Sequence, residues 1–350
     1  MKAAVELSAE DTLRLHVLLA GGAGEVEAIR IDESAPTLVA LTAKGEAKVS
    51  LHPAGRADRY LTRVRELLGG HALGAPGGYP VHLRRWTRMG QASPERLAAL
   101  LRLGEPEAVT AVAHAPNLTD ELARRAWWAL PGLETARSML QHAAVRDGAM
   151  AQVLSDYLVE HLPFEEDPIA AMQSVCAVVA AGRLSAESAK QLWAKGKRRP
   201  HYLVGFLECV PDALPEPAVG RDLPAPLAGA LAALPAGPWG SLLAREFSAM
   251  GQAWLQAFAL AFDKPPAHEA VYRLFELLMA RFAPVRGMAP PVPLVSTLPG
   301  EAAAIVRLAA LTDDEVTAHL RNTTAVGPLL RRKLAPVLDP ILADLRTLAP

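Results

Sequence analysis

The sequence predicts a predominantly α-helical protein that begins with a small N-terminal α/β domain. A HEAT-like array of helical hairpins, resembling an α-solenoid, and a second helical lobe are expected to follow. Three observations support this: short β-rich runs are confined to the first ninety residues, helical patterns with short connections start at Ser93, and prolines interrupt the last third of the chain. We therefore expect domains at 1–90, 91–215 and 216–350.

Length and composition limit the classes of protein that need to be considered. The 350 residues suffice for two domains or one repeat array. Hydrophobic residues make up 51% of the chain and aromatic residues only 5%, so Ala, Leu and Val must fill most of the core. The 36 basic and 37 acidic side chains leave a net charge of −1, which excludes a nucleic-acid binder that relies on a globally positive field.

The N-terminal segment and the cysteines predict a cytoplasmic protein. The first eleven residues contain three acids and lack the apolar stretch of a signal peptide. Cys176 and Cys209 are too few and too far apart in sequence for a disulfide scaffold or a thiolate metal site. We expect both to be reduced, buried thiols.

The first domain is expected to begin with a helix. Ser8 and Asp11 have the spacing of a capping box, and an apolar stripe follows until Gly21-Gly22. Three β-rich runs then predict an antiparallel meander, with its hairpin turn at Lys44-Gly45.

A second helix and an edge strand complete this predicted domain. Residues 58–68 place apolar side chains on one helical face, and the helix should stop at Gly69-Gly70. The extended segment 79–83 is expected to add a strand at the sheet edge.

From Ser93-Pro94, an N-cap followed by proline, short helices are predicted in close succession. The best-defined of the later ones cover residues 148–162, 167–181, 185–195 and 200–210. No fixed repeat period is present. A solenoid of degenerate repeats and an irregular helical domain both remain compatible with this pattern.

The last third contains two proline-rich stretches, 211–240 and 283–300. Between them, two apolar helices are predicted at 241–262 and 268–282, and a last helical unit begins with the capping box at Thr312. Residues 223–244 carry no charge, but four prolines and three glycines favour a linker with short buried helices over a membrane span.

No residue pattern identifies a reaction. The sequence His268-Glu269-Ala270-Val271-Tyr272 resembles a zinc-protease motif but has Tyr272 where the second histidine is required. The acids between Glu160 and Asp167 are flanked by prolines, which is typical of a solvated loop before a helix. We therefore predict no catalytic residue, no metal ligand and no cofactor, and a protein that is not an enzyme.

Three segments combine cations with aromatic residues, as a site for an anionic partner requires. The candidate partner-binding residues are Arg84, Arg85, Trp86 and Arg88 in the first segment, Arg124 and Arg125 beside Trp127 and Trp128 in the second, and Lys195, Lys197, Arg198, Arg199 and Tyr202 in the third. The alternative for the first two is that tryptophans fill helix seams while arginines pair with acids such as Asp120 and Glu121. The third segment is the best prediction, because residues 190–199 hold five cations and no acid.

Residues 77–91 (GGYPVHLRRWTRMGQ), 103–109 (LGEPEAV) and 118–128 (LTDELARRAWW) resemble the DsrS family. Those proteins belong to the gene cluster around reverse dissimilatory sulfite reductase in sulfur-oxidising bacteria. The resemblance extends more loosely to residues 7–68 and 157–164 and fades after about residue 215. It implies a cytoplasmic protein with an accessory or regulatory role in sulfur metabolism, without catalytic residues to transfer.

Three hypotheses for function follow. The first is a non-enzymatic accessory protein that binds a macromolecular partner, most plausibly a protein of the sulfur-oxidation pathway, through its helical surface. The second is a regulator that binds RNA through the basic-aromatic segments. The third is a ligand carrier or enzyme with a site near Tyr79, Arg85 and Trp86 at the junction of two domains. None of the three requires a metal or insertion into a membrane.

Overall fold

The computed structural model describes residues 6–22, 24–53, 55–74, 92–222, 224–233, 237–321 and 324–349. It confirms a predominantly helical chain with one small antiparallel sheet near the N-terminus. The chain forms two compact units, Met1–Leu158 and Val159–Pro350, called unit 1 and unit 2 below. The division into three domains at residues 90 and 215 stays a prediction.

The sheet of unit 1 is the predicted meander. Its strands are β1 (Val26–Asp32), β2 (Thr37–Thr42) and β3 (Gly45–Ser50), in the order β1-β2-β3 with both pairs antiparallel. The tight β2–β3 connection lies at the predicted place. Gly45 adopts φ +112° there, a conformation that favours glycine.

In chain order, one helix of unit 1 precedes the sheet and the others follow it. They are α1 (Ala9–Leu19), α2 (Ala57–Leu73), α3 (Pro94–Leu100), α4 (Pro106–Ala113), α5 (Asp120–Ala129), α6 (Leu133–Leu140), α7 (Ala143–Arg146) and α8 (Met150–His161), the last of which extends into unit 2. The predicted end of α2 at Gly69-Gly70 is wrong. Gly69 is buried and the helix continues to Leu73, where Gly74 at φ +66° ends it.

The core of unit 1 forms between α1, α2 and the sheet. Leu15 of α1, Ile29 and Leu38 of the strands, and Tyr60 and Val64 of α2 are at most 1% exposed and belong to one cluster. The apolar stripe predicted in residues 58–68 thus becomes the inner face of α2. The stripe predicted in α1 is wrong in part, because Leu13 and Val17 are exposed and Leu15 packs in the core beside Leu18. The edge strand expected at 79–83 lies outside the described residues.

Within the described residues of unit 2, every regular secondary-structure element is a helix. Its helices are α9 (Pro168–Ala181), α10 (Ala186–Gly196), α11 (Pro200–Cys209), α12 (Ala225–Ala233), α13 (Pro238–Phe247), α14 (Ala249–Asp263), α15 (His268–Phe282), α16 (Val292–Thr297), α17 (Pro299–Ala310), α18 (Asp313–Leu320) and α19 (Gly327–Leu348). The predicted bounds of α9, α10, α11 and α15 are confirmed to within one residue. The single helix predicted at 241–262 is wrong, because Ser248 adopts an extended conformation that ends α13 and caps α14.

The core of unit 2 contains much of the small aromatic content. Trp254, Phe258, Phe262 and Phe275 are at most 1% exposed, and their rings follow one another at centroid distances of 4.8, 5.3 and 5.2 Å. Such offset and tilted ring pairs add to the burial of apolar surface. A bilayer-crossing segment, which needs about 20 apolar residues, does not occur in any helix of the described ranges.

The expectation of two reduced cysteines is wrong in this structure. Cys176 of α9 and Cys209 of α11 form a disulfide, with their Cα atoms 5.5 Å apart. The 32 residues between them include α10, and the short connections on either side of α10 bring α11 back against α9. Distance along the sequence was therefore a poor guide to distance in space.

Candidate partner-binding surface

The third basic-aromatic segment lies at the connection between α10 and α11. We call Lys195, Lys197, Arg198 and Arg199 the basic corner. Gly196 ends α10, and Pro200 begins α11 at a position where its missing N–H is not needed. The corner is tight because a Cβ on Gly196 would come within 2.5 Å of the Leu203 side chain.

The four cations of the basic corner differ in their contacts. All four are exposed. Arg199 donates to the Tyr202 hydroxyl at 2.9 Å and to the Pro163 carbonyl at 3.3 Å. Lys197 lies 3.6 Å from a carboxylate oxygen of Glu216, a pair too exposed to contribute much energy.

Lys195 and Arg198 are the two free charges of this corner. Within the part of the chain that the structure describes, neither has an acidic partner. Both are held by the turn backbone, because the N–H groups of Arg198 and Arg199 donate to the Lys195 carbonyl, each at 3.0 Å. The corner therefore presents positive charge on an ordered backbone.

The aromatic residues of the segment point inward instead. Tyr202 is 2% exposed, and its hydroxyl donates to the Leu162 carbonyl at 3.1 Å. Trp193 is 5% exposed and packs edge-on against Phe206 at 5.3 Å. Burial, with the nearby Arg199 charge, lowers the pKa of His201 to about 4, so this ring is neutral at pH 7. The exposed part of the corner is cationic rather than aromatic.

A small cavity borders the basic corner within unit 2. It has a volume of about 280 Å³, and Trp193, Lys197, Leu203, Glu216 and Gln256 are among its lining residues. Lys197 and Glu216, which form the exposed pair described above, both line this cavity.

The second basic-aromatic segment is part of the internal packing of unit 1. Arg124 of α5 forms ion pairs with Glu27 of β1 at 2.6 Å and with Glu121 at 2.7 Å, and Arg125 pairs with Glu121 at 2.8 Å. Hydrogen bonds from Arg124 and then Arg125, against the opposing effect of burial, lower the pKa of Glu121 to about 2.

The two tryptophans of this segment are half-buried. Trp128 donates to Glu46 of β3 at 2.8 Å, and the Arg30 guanidinium lies 4.5 Å from its ring centroid. Trp127 contacts Tyr157 edge-on at 4.8 Å. The segment therefore connects α5 to the sheet and to α8, which is the arrangement expected if these side chains fill helix seams.

The remaining candidates are distributed as follows. Arg84, Arg85, Trp86 and Arg88 lie outside the described residues, as does Tyr79. Asp120 is not an arginine partner, since its carboxylate accepts the N–H groups of Ala149 and Met150 at the start of α8. In the acidic segment, Asp167 accepts from the Ile169 N–H and caps α9.

One group of possible metal ligands was missed by the sequence analysis. Cys176, Glu208 and Cys209 each offer a ligand atom, and these atoms lie within 4.8 Å of one another. A spacing rule could not find this group, because its members lie on α9 and α11. The adjacent pair Glu208-Cys209 at a helix end was the one local signal.

Comparison of the chain with family models, curated proteins and solved structures found no match.

Proposed function

We propose that this protein is a non-enzymatic cytoplasmic accessory protein that binds an acidic surface of a protein partner through the basic corner of unit 2. The observation that carries the proposal is the pair Lys195 and Arg198, two exposed cations on an ordered turn without acidic partners among the described residues. Charges without internal partners attract an oppositely charged partner and orient it.

A protein partner is favoured over RNA by the placement of the aromatic residues. Single-stranded RNA is held by bases stacked on exposed aromatic faces. Tyr202 and Trp193 are buried, and the Trp128 ring carries the Arg30 guanidinium. Among the described residues of the basic corner, the exposed groups are therefore cations, and carboxylates of a protein surface are complementary to them.

The wider surface and the pathway are part of the same proposal. The helices of residues 91–215 form a HEAT-like array in this proposal, and its surface extends the contact beyond the basic corner. The resemblance to the DsrS family supplies the physiological setting, bacterial dissimilatory sulfur oxidation. Arg84, Arg85, Trp86 and Arg88 remain candidates for a further contact with the partner.

The proposal is tested with the double variant Lys195→Ala/Arg198→Ala of the full chain. The matched control is Lys264→Ala/Arg332→Ala, which removes two other exposed cations of unit 2 and changes the net charge equally. Tagged proteins are incubated with nuclease-treated extract of a sulfur-oxidising bacterium, and the retained acidic proteins are identified and titrated individually.

We expect wild type and control to bind the same protein, and the Lys195→Ala/Arg198→Ala variant to bind it about thirtyfold more weakly, since each of the two interfacial charges contributes on the order of 1 kcal/mol. Affinity should fall as salt is raised. Equal binding by all three proteins would contradict the proposal. Retention that occurs in untreated extract and disappears in nuclease-treated extract, with binding of a labelled single-stranded RNA, would replace it with the RNA hypothesis.

A further inference from the structure

Two sulfur atoms and one carboxylate meet where α9 and α11 cross. Cys176, Glu208 and Cys209 are all half-buried, so the group is accessible to small solutes but largely shielded by the two helices. The helices approach closely because Gly205 lies against the α9 backbone, where a Cβ would come within 2.8 Å of the Cys176 nitrogen.

We propose that Cys176, Cys209 and Glu208 bind one Zn²⁺ when the two cysteines are reduced, and that the disulfide closes this site. Zn²⁺ prefers thiolate ligands at about 2.3 Å and accepts carboxylate oxygen, and three protein ligands leave a fourth position for water. The proposal goes beyond partner binding and does not depend on it.

The backbone geometry suits both states of the cysteine pair. A disulfide requires Cα atoms about 4.4–6.8 Å apart, and the observed separation is 5.5 Å. Two thiolates on one tetrahedral Zn²⁺ lie roughly 3.8 Å apart, from the metal–sulfur distance. Rotation about the side-chain bonds provides this change, so the helices need not move apart.

The chemical step that opens the site is a thiol–disulfide exchange. A small dithiol attacks one sulfur and forms a mixed disulfide, and its second thiol then releases the protein as a dithiol while the reductant becomes a disulfide. Two electrons and two protons pass to Cys176 and Cys209. Binding of Zn²⁺ then displaces the two protons. In a reducing cytoplasm the dithiol form is favoured.

Glu208 already has a charged partner that Zn²⁺ must replace in part. Its carboxylate accepts a hydrogen bond from Arg273 of α15, which also pairs with Glu276 at 2.6 Å. The Arg273 guanidinium lies between these two carboxylates and stays charged, because arginine is not deprotonated in proteins. Arg273 therefore positions Glu208 beside the sulfurs and retains Glu276 when Glu208 turns to the metal.

The test compares the two redox states of the wild-type chain. One sample is reduced with a dithiol and freed of reductant without oxygen, and the other is left oxidised. Both are titrated with Zn²⁺ against a chromophoric chelator, and with Co²⁺ as a spectroscopic probe. We expect one equivalent to bind to the reduced protein only, with a thiolate-to-cobalt charge-transfer band, and oxidation to release the metal.

Three variants assign the ligands in the reduced state. Cys209→Ser should abolish stoichiometric binding. Glu208→Gln should weaken it by about tenfold or more, because even outer-shell changes at zinc sites cost 10- to 100-fold. Glu187→Gln, which removes the charge of an exposed acid of α10 that accepts a hydrogen bond from Gln191, is the matched control and should leave the affinity unchanged.

Several results would overturn the proposal. They are equal Zn²⁺ binding by both redox states, no binding by the reduced protein, or stoichiometric binding that persists in Cys209→Ser. The comparison of redox states uses wild type alone, so a variant that fails to fold does not weaken the test. The metal titrations contain no partner protein, so a failure of the Zn²⁺ proposal is distinguishable from a failure of the proposed partner binding.

Discussion

Asp11 is a fully buried carboxylate in the first turn of α1. Its oxygens accept hydrogen bonds from the Tyr60 hydroxyl at 2.5 Å and from the His52 backbone N–H at 2.7 Å, and one lies 3.0 Å from the His52 ring. Burial by itself would raise the pKa of Asp11, but the hydrogen bonds from His52 and Tyr60 outweigh it and lower the pKa below its usual 3.8.

This pKa shift predicts a dependence of stability on pH. Because the folded-state pKa lies below the unfolded-state value, Asp11 stabilises the fold at neutral pH, and this contribution is lost as pH falls below about 4. Asp11→Asn should cost about 1–3 kcal/mol at pH 7, since an amide cannot accept all these donors. It should also flatten the acid limb of the stability curve.

Urea unfolding of both proteins between pH 3 and 7 measures this effect. Glu10→Gln serves as the control, because Glu10 is an exposed acid of the same turn, paired with Arg14 at 2.5 Å. The control should change the free energy of unfolding by less than about 1 kcal/mol. Parallel pH curves for Asp11→Asn and wild type would refute the role of this carboxylate.

The same residue shows the limit of local sequence patterns. The capping box at Ser8 and Asp11 is half confirmed: the Ser8 hydroxyl accepts from the Asp11 N–H at 3.1 Å. The Asp11 carboxylate does not return to the Ser8 N–H, which donates to Tyr60 at 3.2 Å instead. A partner 49 residues away cannot be read from a four-residue pattern.

At the scale of elements, the crossing of α9 and α11 depends on Gly205. A Cβ at this position would lie 2.8 Å from the Cys176 nitrogen, 2.9 Å from the Met172 carbonyl oxygen and 2.9 Å from Val175 Cβ. Two of these neighbours are backbone atoms, which cannot rotate away. The helices must therefore separate to admit any larger residue.

We predict that Gly205→Ala destabilises the protein by about 1–3 kcal/mol, the usual cost of overpacking a core. The control is Gly229→Ala in α12, where a Cβ meets no atom within 4 Å. That change should be neutral or raise stability by about 0.5–1 kcal/mol, because alanine is the better helix former. Thermal unfolding measures both, and an unchanged midpoint for Gly205→Ala would contradict the close approach.

The elements themselves followed closely from local signals. Caps, prolines at first helical positions and apolar periodicity predicted α9, α10, α11 and α15 within one residue. The errors occurred where packing overrode a local signal. Gly69-Gly70 predicts the end of a helix, but Gly69 is buried within α2, which continues to Leu73. The apolar pattern around Ser248 predicts one continuous helix, but the Ser248 hydroxyl accepts a hydrogen bond from the Gly251 N–H and so starts α14.

At the scale of the whole molecule, a buried ion pair lies in the core of unit 2. Glu246 of α13 is fully buried and its carboxylate accepts from Arg281 of α15 at 3.0 Å. The Arg281 guanidinium also lies 4.1 Å from the ring centroid of Trp254 in α14. Burial lowers the pKa of Arg281, while the charge of Glu246 opposes this effect. The ion pair thus joins α13 to α15, and the cation–π contact adds α14.

We predict that Glu246→Gln costs about 3–5 kcal/mol, because it leaves the buried Arg281 charge without its counter-ion. Asp339→Asn is the control: Asp339 forms an exposed pair with Arg331 at 2.6 Å, so its loss should cost less than about 1 kcal/mol. Scanning calorimetry compares the two variants with wild type. Equal changes in the unfolding temperature of the two variants would contradict this prediction, because they would show that the Arg281 charge is stabilised by another partner or by water.

Part of the candidate sites could be predicted from local sequence, and part depends on contacts between distant segments. The basic corner was predicted from five cations without an acid in residues 190–199, and its exposure follows from that composition. The engagement of Arg124 with Glu27, 97 residues away, was not predictable, because acids of β1 and cations of α5 meet only after folding. The burial of Tyr202 was equally hidden.

The sequence by itself determined the order and type of the elements and the position of the free positive charge. These depend on interactions within a few residues: caps, turns, apolar periodicity and the local balance of charge. Only the tertiary structure decided that Cys176 meets Cys209 beside Glu208 and that the Asp11 carboxylate accepts a hydrogen bond from the Tyr60 hydroxyl. It also decided that Tyr202 and Trp193, the aromatic residues near the free cations, are buried. Such contacts arise from packing between distant segments, which no local pattern encodes.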